Sequence, residues 1–339
     1  MIKSLQKCCT LHNNATATMT KNIIILHNKI EQHTQDELDV LEQRDLVARA
    51  CQQLGYKVSS MEVGHHIYDD ISKVQAMQAD VVFNLVESSW GKGELLHVVP
   101  SLLNALKIPY TGVPLEALFI STNKVLAKRI MRLHHLPTAD FFAMDELHLL
   151  DATKTYIVKP IWEEASVGID AHSVFTLADS EKVEQLAHLS PKHYFVEEYI
   201  EGREFNISML NKDGRVEVLP PAEMLFSSYF TGKPKVVGYK AKWDENSEEY
   251  QQTNRAFDTL EKQPLLKQKL EKVCIDTWKA FNLSGYARVD FRVDNADNIY
   301  ILEINGNPCI APDSGFVAAI QHTGYTLETM VERIIQDTN

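Results

Sequence analysis

Apolar and polar positions along this chain alternate between two rhythms. Residues 22–27 (Asn-Ile-Ile-Ile-Leu-His) and 80–86 (Asp-Val-Val-Phe-Asn-Leu-Val) are short, nearly continuous apolar runs, the pattern of strands buried on both faces. Between them Leu38, Leu41, Val47, Ala50, Cys51 and Leu54 recur at helical spacing, and Gly55 supplies a stop. Tyr56-Lys-Val58 opens another strand, and a helix near 94–105 leads to Ile108-Pro-Tyr-Thr-Gly112. Strand–helix alternation over 21–118 predicts a parallel α/β domain.

The rhythm then shortens. A helix over 124–133, a strand at Thr155-Tyr-Ile-Val-Lys159 and the loop Pro160 to Gly168 mark a central unit, residues 119–190. Strands at 194–200 and 204–210, a polar and partly helical stretch at 244–282, a hairpin and a C-terminal helix after Gly324 make up a third unit, 191–339. Residues 1–20 are polar and aperiodic, without the apolar core of a secretory signal, and are expected to be a disordered leader, with Met19 as an alternative start.

The hairpin has the most ordered pattern. Arg288, Asp290 and Arg292 fall on one face of its first strand, and Ala287, Val289, Phe291 and Val293 on the other. In the second strand Glu303 and Asn305 oppose Tyr300, Leu302 and Ile304. Closure over Asn295-Ala-Asp-Asn298 pairs Asp294 with Ile299, and so Asp290 with Glu303 and Arg288 with Asn305. Carboxylates directly across a ladder repel. Either the face is solvated, or a hard divalent cation sits there, since Mg²⁺ takes one or two carboxylates plus phosphate oxygens.

Composition narrows the partners. The 339 residues are 45% hydrophobic and 24% charged, as in ordinary globular proteins. A net charge of −12 argues against nucleic acid and anionic membranes, and no apolar run reaches membrane-spanning length. Five cysteines without metal-type spacing indicate a reducing, cytoplasmic setting. Lys159, at the end of an apolar strand, either snorkels to solvent or faces an anion. The loop after it carries Ser166 and Gly168, whose backbone N–H groups suit phosphate oxygens. Glu197 and Glu204 flank Gly202 and offer acceptors for nucleoside donors, or form a solvated hairpin face. Lys124 and Lys242 stand alone in polar surroundings, and Cys309 follows the hairpin with no arrangement that makes it a nucleophile.

In their order these motifs resemble those of ATP-grasp enzymes, and most closely the D-alanine–D-alanine ligases: Ile108-Pro-Tyr-Thr-Gly112, Asn123-Lys124, Val158-Lys-Pro160 with Ser166-Val-Gly168, Glu197 to Glu204, Tyr286-Ala-Arg-Val-Asp290 and Glu303-Ile-Asn305. The resemblance runs from residue 22 onward, with 244–282 set apart as an insertion. It implies an α/β ATP-grasp fold of three domains, with the nucleotide clamped between two α+β lobes. It implies ATP with two magnesium ions, manganese being the alternative, held by Asp290, Glu303 and Asn305. Lys124 and Lys159 then correspond to the α- and β-phosphate lysines and Lys242 to the one nearer the γ-phosphate. Glu197 takes the adenine amino group beside the backbone of Glu198 and Ile200, Glu204 the ribose, and Arg288 the oxyanion of the transition state. Ser314 holds a substrate carboxylate. Small amino-acid-like substrates are implied, and a homodimer is typical of the family.

The departures lie on the amino-acid side. The family's Gly-Ser-Ser-Val-Gly loop is Glu164-Ala165-Ser166-Val167-Gly168 here, its tyrosine is Trp243, and a glycine beside the oxyanion is Cys309. Ser89-Trp-Gly-Lys-Gly-Glu94 replaces another substrate loop, and the N-terminal acidic residue has only Asp39 or Glu37 as counterpart. The expectation is an ATP-dependent ligase joining a carboxylate, through an acyl phosphate, to an amine. Two other readings are a true D-alanine–D-alanine ligase and a non-catalytic ATP sensor.

Overall fold

The computed structural model describes residues 20–31, 33–163, 166 and 168–339, so the expectations for the leader and for Ala165 lie outside the described residues. The first unit runs β1 (Asn22–Asn28), α1 (Gln35–Gln53), β2 (Lys57–Val63), α2 (Ile67–Ala76), β3 (Val81–Leu85) and α3 (Val98–Ala105). Its sheet is parallel in the order β2-β1-β3. The apolar run of β1 serves two cores at once. Ile23 and Ile25 pack with α1, and Ile24 and Leu26 with α2 and α3, as a period-2 strand between two helical layers requires. Tyr110 extends this sheet by one bridge to Val82.

Two helices lead out of it, α4 (Leu115–Thr122) and α5 (Lys124–Leu133). Asn123 between them accepts the Leu126 N–H at 2.8 Å and so starts α5. The central unit holds β4 (Phe141–Ala143), β5 (Thr155–Pro160), β6 (Val174–Thr176), α6 (Ser180–Ala187) and β7 (Tyr194–Glu198), in one antiparallel sheet ordered β4-β7-β5-β6. Because β7 pairs here, with β4 and β5, a boundary at 190 would divide the sheet, and the natural division moves to about residue 200.

The large sheet follows: β8 (Arg203–Lys212), β9 (Arg215–Val218), β10 (Ala222–Phe226), α7 (Tyr239–Trp243), α8 (Glu248–Gln251), β11 (Thr253–Ala256), α9 (Pro264–Ala280), β12 (Tyr286–Val293), β13 (Ile299–Asn305), α10 (Gly315–His322) and α11 (Leu327–Gln336). Its main path is β11-β10-β8-β12-β13, with β9 paired to β8. One face carries Phe205, Ile207, Met209, Ala287, Val289 and Phe291 into a core closed by Leu266, Leu270 and Cys274 of α9. The stretch 244–282 is therefore structural: β11 is a strand of the large sheet and α9 covers its core.

Gly202 makes the turn from the central sheet into β8 where it passes Val293. A Cβ there would stand 2.1 Å from the Val293 carbonyl oxygen, a backbone atom that cannot move aside cheaply. Gly202→Ala is expected to lower unfolding stability by about 1–3 kcal/mol, the usual cost of overpacking, measured by denaturant titration against the wild-type chain.

Candidate active site

The polar face of the large sheet looks across at β5 and β7, and between them lies a cavity of about 1330 Å³. The floor comes from β12 and β13. Arg288 pairs with Asn305 and Asp290 with Glu303, as alternation predicts. Near the turn the expected register is wrong by one. The turn closes with Asp294 N–H on Asn298 O at 3.0 Å, the Asp294 carboxylate accepts the Ala296 and Asn298 N–H groups, and Val293 rather than Asp294 faces Ile299. A bulge between Ile301 and Glu303 restores the register. Leu302 is the extra residue. It lines the cavity, and Ile301 takes the core position, contrary to strict alternation.

Asp290 accepts two bonds from Arg288, Nε at 2.8 Å and Nη2 at 2.9 Å, and one from the Asn305 amide at 3.3 Å. Burial works against the Arg288 charge, but Asp290 and Glu303 hold the guanidinium above its ordinary range. Burial alone would raise Glu303. Lys124, at 3.7 Å, together with Lys242, Arg288 and Lys159, draws it down to about 2. Asp290, Glu303 and Asn305 present oxygen donors on one face, the set a hard divalent cation prefers. Among the described residues no group of three or more His, Cys, Asp or Glu forms a closed metal cage, so an ion here would complete its shell with phosphate oxygens and water.

Across the cavity, Lys124 enters from the first turn of α5 and its ammonium donates to the Glu163 carbonyl. Lys159 on β5 lies 3.0 Å from Glu197 on β7. Glu197 also accepts from Lys128 at 2.7 Å, with both side chains 1% exposed. Burial would raise the Glu197 carboxyl, yet the two lysines hold it below its usual range. Lys128 is shifted down by the same burial, against the pull of Glu197. Glu197 is thus already engaged on two sides where the sequence left it open. Lys128 is absent from the sequence reading, although it sits one turn beyond Lys124 on the buried face of α5. That i, i+4 spacing within an apolar stripe is the signal that could have found it.

Glu204 is held by Arg292 at 3.0 Å, and burial raises its carboxyl despite that partner. Arg292 also donates to the carbonyls of Gly202 and Lys235. Glu198 and Ile200 line the cavity, and the Glu198 carboxylate turns to Lys154 at 2.6 Å. Ser166 lines it too, its hydroxyl donating to Val237 O at 2.7 Å, whereas Gly168 turns the loop at φ 73° without joining the wall. Lys242 and Trp243 come from α7, and Ser314 caps α10 by accepting the Val317 N–H at 3.2 Å.

The far end is closed by the first unit. Cys309 donates its S–H to Asp39 at 3.0 Å, and Gln43 ties Asp39 (2.9 Å) to Glu87 (3.0 Å) while accepting the Ile310 N–H at 3.1 Å. Burial raises both the Asp39 carboxyl and the Cys309 thiol. Asp39 and Glu37 both line the cavity, but it is Asp39 that reaches the residues following β13.

A family model described as D-ala D-ala ligase C-terminus matches residues 149–336, more than half of the chain. The chain belongs to the D-alanine–D-alanine ligase family. The matched range spans 244–282. Among its relatives are the D-alanine–D-alanine ligase of Carboxydothermus hydrogenoformans, 28% identical over 303 residues (86% of this chain, 90% of the relative), and an uncharacterized protein of Sinorhizobium fredii, 27% identical (86% and 85%). The Bacillus anthracis D-alanine–D-alanine ligase complexed with ATP superposes with TM-score 0.71 at 19% identity, covering 94% of this chain and 97% of that one. The VanG D-Ala:D-Ser ligase of Enterococcus faecalis gives 0.68 at 15%, covering 94% and 99%. The fold is thus ATP-grasp, and this member is an ATP-dependent, ADP-forming carboxylate–amine ligase. No described helix of this ligase is long and apolar enough to cross a membrane.

Proposed function

We propose that this ligase uses magnesium–ATP in the cytoplasm to join two amino-acid-like substrates that differ from a pair of D-alanines. The observation that carries this is where the departures fall. Trp243, Cys309 and Asp39, which depart from the family pattern, line the same cavity as Lys124, Lys159, Glu204, Asp290, Glu303 and Asn305, which keep it, and this reading gives the first set to the amino acids and the second to the nucleotide.

Lys124, Lys159 and Lys242 receive the phosphates, the first two exchanging Glu303 and Glu197 for phosphate oxygens. Magnesium held by Asp290, Glu303 and Asn305 would neutralise the phosphate charge and align the transferring group. A carboxylate oxygen of the first substrate attacks the γ-phosphorus, the bond to the β-phosphate oxygen breaks, and ADP leaves. The amine of the second substrate attacks the resulting acyl phosphate, phosphate departs, and the nitrogen gives up a proton. Arg288 stabilises the oxyanion of that attack from the cavity floor, anchored by Asp290. The protein lobes exclude water, which would otherwise hydrolyse the acyl phosphate.

Removing one oxyanion donor costs about 10²–10³ in rate. Arg288→Ala is therefore expected to lower ADP release by about a hundredfold or more with little change in nucleotide affinity. A change of about twofold would reduce Arg288 to a support for the hairpin. The reading as a whole is tested by ADP release with ATP and Mg²⁺ against L- and D-amino acids, singly and in pairs, with mass spectrometry of the products. Turnover with D-alanine alone would overturn the substrate proposal. ATP binding without turnover on any pair would overturn the ligase proposal.

A further inference from the structure

The strand β11 brings one cation into the cavity that the reaction above leaves unused. Arg255 lines the amino-acid end beside Tyr250 and Asn254. Its one hydrogen bond among the described residues is a long one, Nη1 to the Asp313 carbonyl at 3.4 Å. The rest of the guanidinium lies along the backbone of 313–315, with Nη2 3.5 Å from the place a Cβ on Gly315 would occupy. The charged groups acting on it are Arg288, which repels, and Asp313, whose carboxylate makes no ion pair with it. Of the other lysines and arginines lining the cavity, Lys29 lies against Gly64 of the first unit and the rest have assignments. Lys124 and Lys159 rest on Glu303 and Glu197, Arg288 on Asp290 and Arg292 on Glu204, and Lys242 faces the phosphates.

A guanidinium has five N–H donors in a rigid fork that matches a carboxylate. Arg255 places one of them on the Asp313 carbonyl and lines the cavity next to Ser314, the residue assigned above to a substrate carboxylate. Two like charges, Arg255 and Arg288, converge on one end of a cavity in a chain of net charge −12. Asp290 pairs with Arg288, while Asp313 attracts Arg255 without closing an ion pair with it, so the Arg255 fork has room for an outside carboxylate. A single α-carboxylate at Ser314 leaves the Arg255 fork unfilled.

We infer that Arg255 is a specificity-determining residue that receives a second carboxylate on the substrate bound beside Ser314, so that this ligase takes an acidic amino acid, or a peptide carrying one, in that position. The inference rests on the ligase reading above and adds the chemical class of one substrate. Arg255 acts on binding and takes no part in phosphoryl transfer.

Calorimetric titration tests it without turnover. The protein is first titrated with a non-hydrolysable ATP analogue and Mg²⁺, then with glutamate, glutamine, aspartate and asparagine of both configurations. At least one acid is expected to bind about tenfold or more tightly than its amide, the scale of a charge-assisted hydrogen bond. Arg255→Gln should erase that ratio with nucleotide affinity unchanged, and Arg255→Lys should keep part of it. Equal binding of acid and amide, a ratio that survives in Arg255→Gln, or no binding of either acid overturns the inference. The first titration separates the two levels: failure to bind nucleotide counts against the ligase reading, and the acid–amide comparison alone decides Arg255.

Discussion

Asp290→Asn is expected to reduce ADP release by about a thousandfold or more while leaving the chain folded. Stabilising charge on a transferring phosphoryl group is worth several kcal/mol, and each 1.36 kcal/mol is tenfold in rate. Asp290 stands directly across from Glu303, accepts both Arg288 bonds and faces the Asn305 amide. In the proposed mechanism its charge would serve the metal position and the oxyanion arginine together. A readout beside activity separates the two roles. In the wild type Mg²⁺ should tighten binding of the ATP analogue, and in Asp290→Asn that gain should vanish while metal-free binding persists. Glu303→Gln should share the loss of turnover while leaving both Arg288 hydrogen bonds to Asp290 in place. Retention of the Mg²⁺ effect in both variants would remove these residues from the metal site.

Lys128→Met is expected to destabilise the protein by about 3–5 kcal/mol, the cost of breaking a buried ion pair by removing one partner. Lys128 and Glu197 are each 1% exposed and 2.7 Å apart, and their bond ties α5 to the middle of the central sheet. Glu197 keeps Lys159 at 3.0 Å, which sets the loss toward the lower end of that range. The double variant Lys128→Met, Glu197→Gln should be less destabilised than the two single losses summed, because neither Lys128 nor Glu197 is then buried without the other, and the loss of the Lys159 partner is common to both Glu197 variants. Denaturant midpoints of the four proteins measure this coupling. Strict additivity would mean that the contact contributes nothing in solution.

Much of the fold could be read along the chain because its elements bury simple patterns. The double-sided β1, the helical stripe of α1 and the alternating β12 each have one solution that hides their apolar atoms. The facing pair Asp290 and Glu303 is reached from the sequence only because the bulge at Leu302 offsets the one-residue shift at the turn. What could not be read needed distances across the chain. Glu197 looked like a free acceptor because Lys128 lies 69 positions away in sequence. Arg255 looked like part of a polar insertion until β11 was seen pairing with β10. Ile301 and Leu302 exchanged roles because the tight turn, closed by Asp294, shifts the register and a later irregularity shifts it back.

That irregularity has a consequence of its own. In a regular strand neighbouring side chains always point apart, so no carboxylate can have an adjacent residue of its own strand beside it on the same surface. The extra residue at Leu302 lifts this restriction and sets hydrocarbon next to Glu303 on the cavity floor. Hydrocarbon beside a carboxylate lowers the local dielectric, and attraction between opposite charges grows as that dielectric falls. One aliphatic side chain, out of step with its strand, thereby strengthens the hold of Glu303 on whatever cation approaches it.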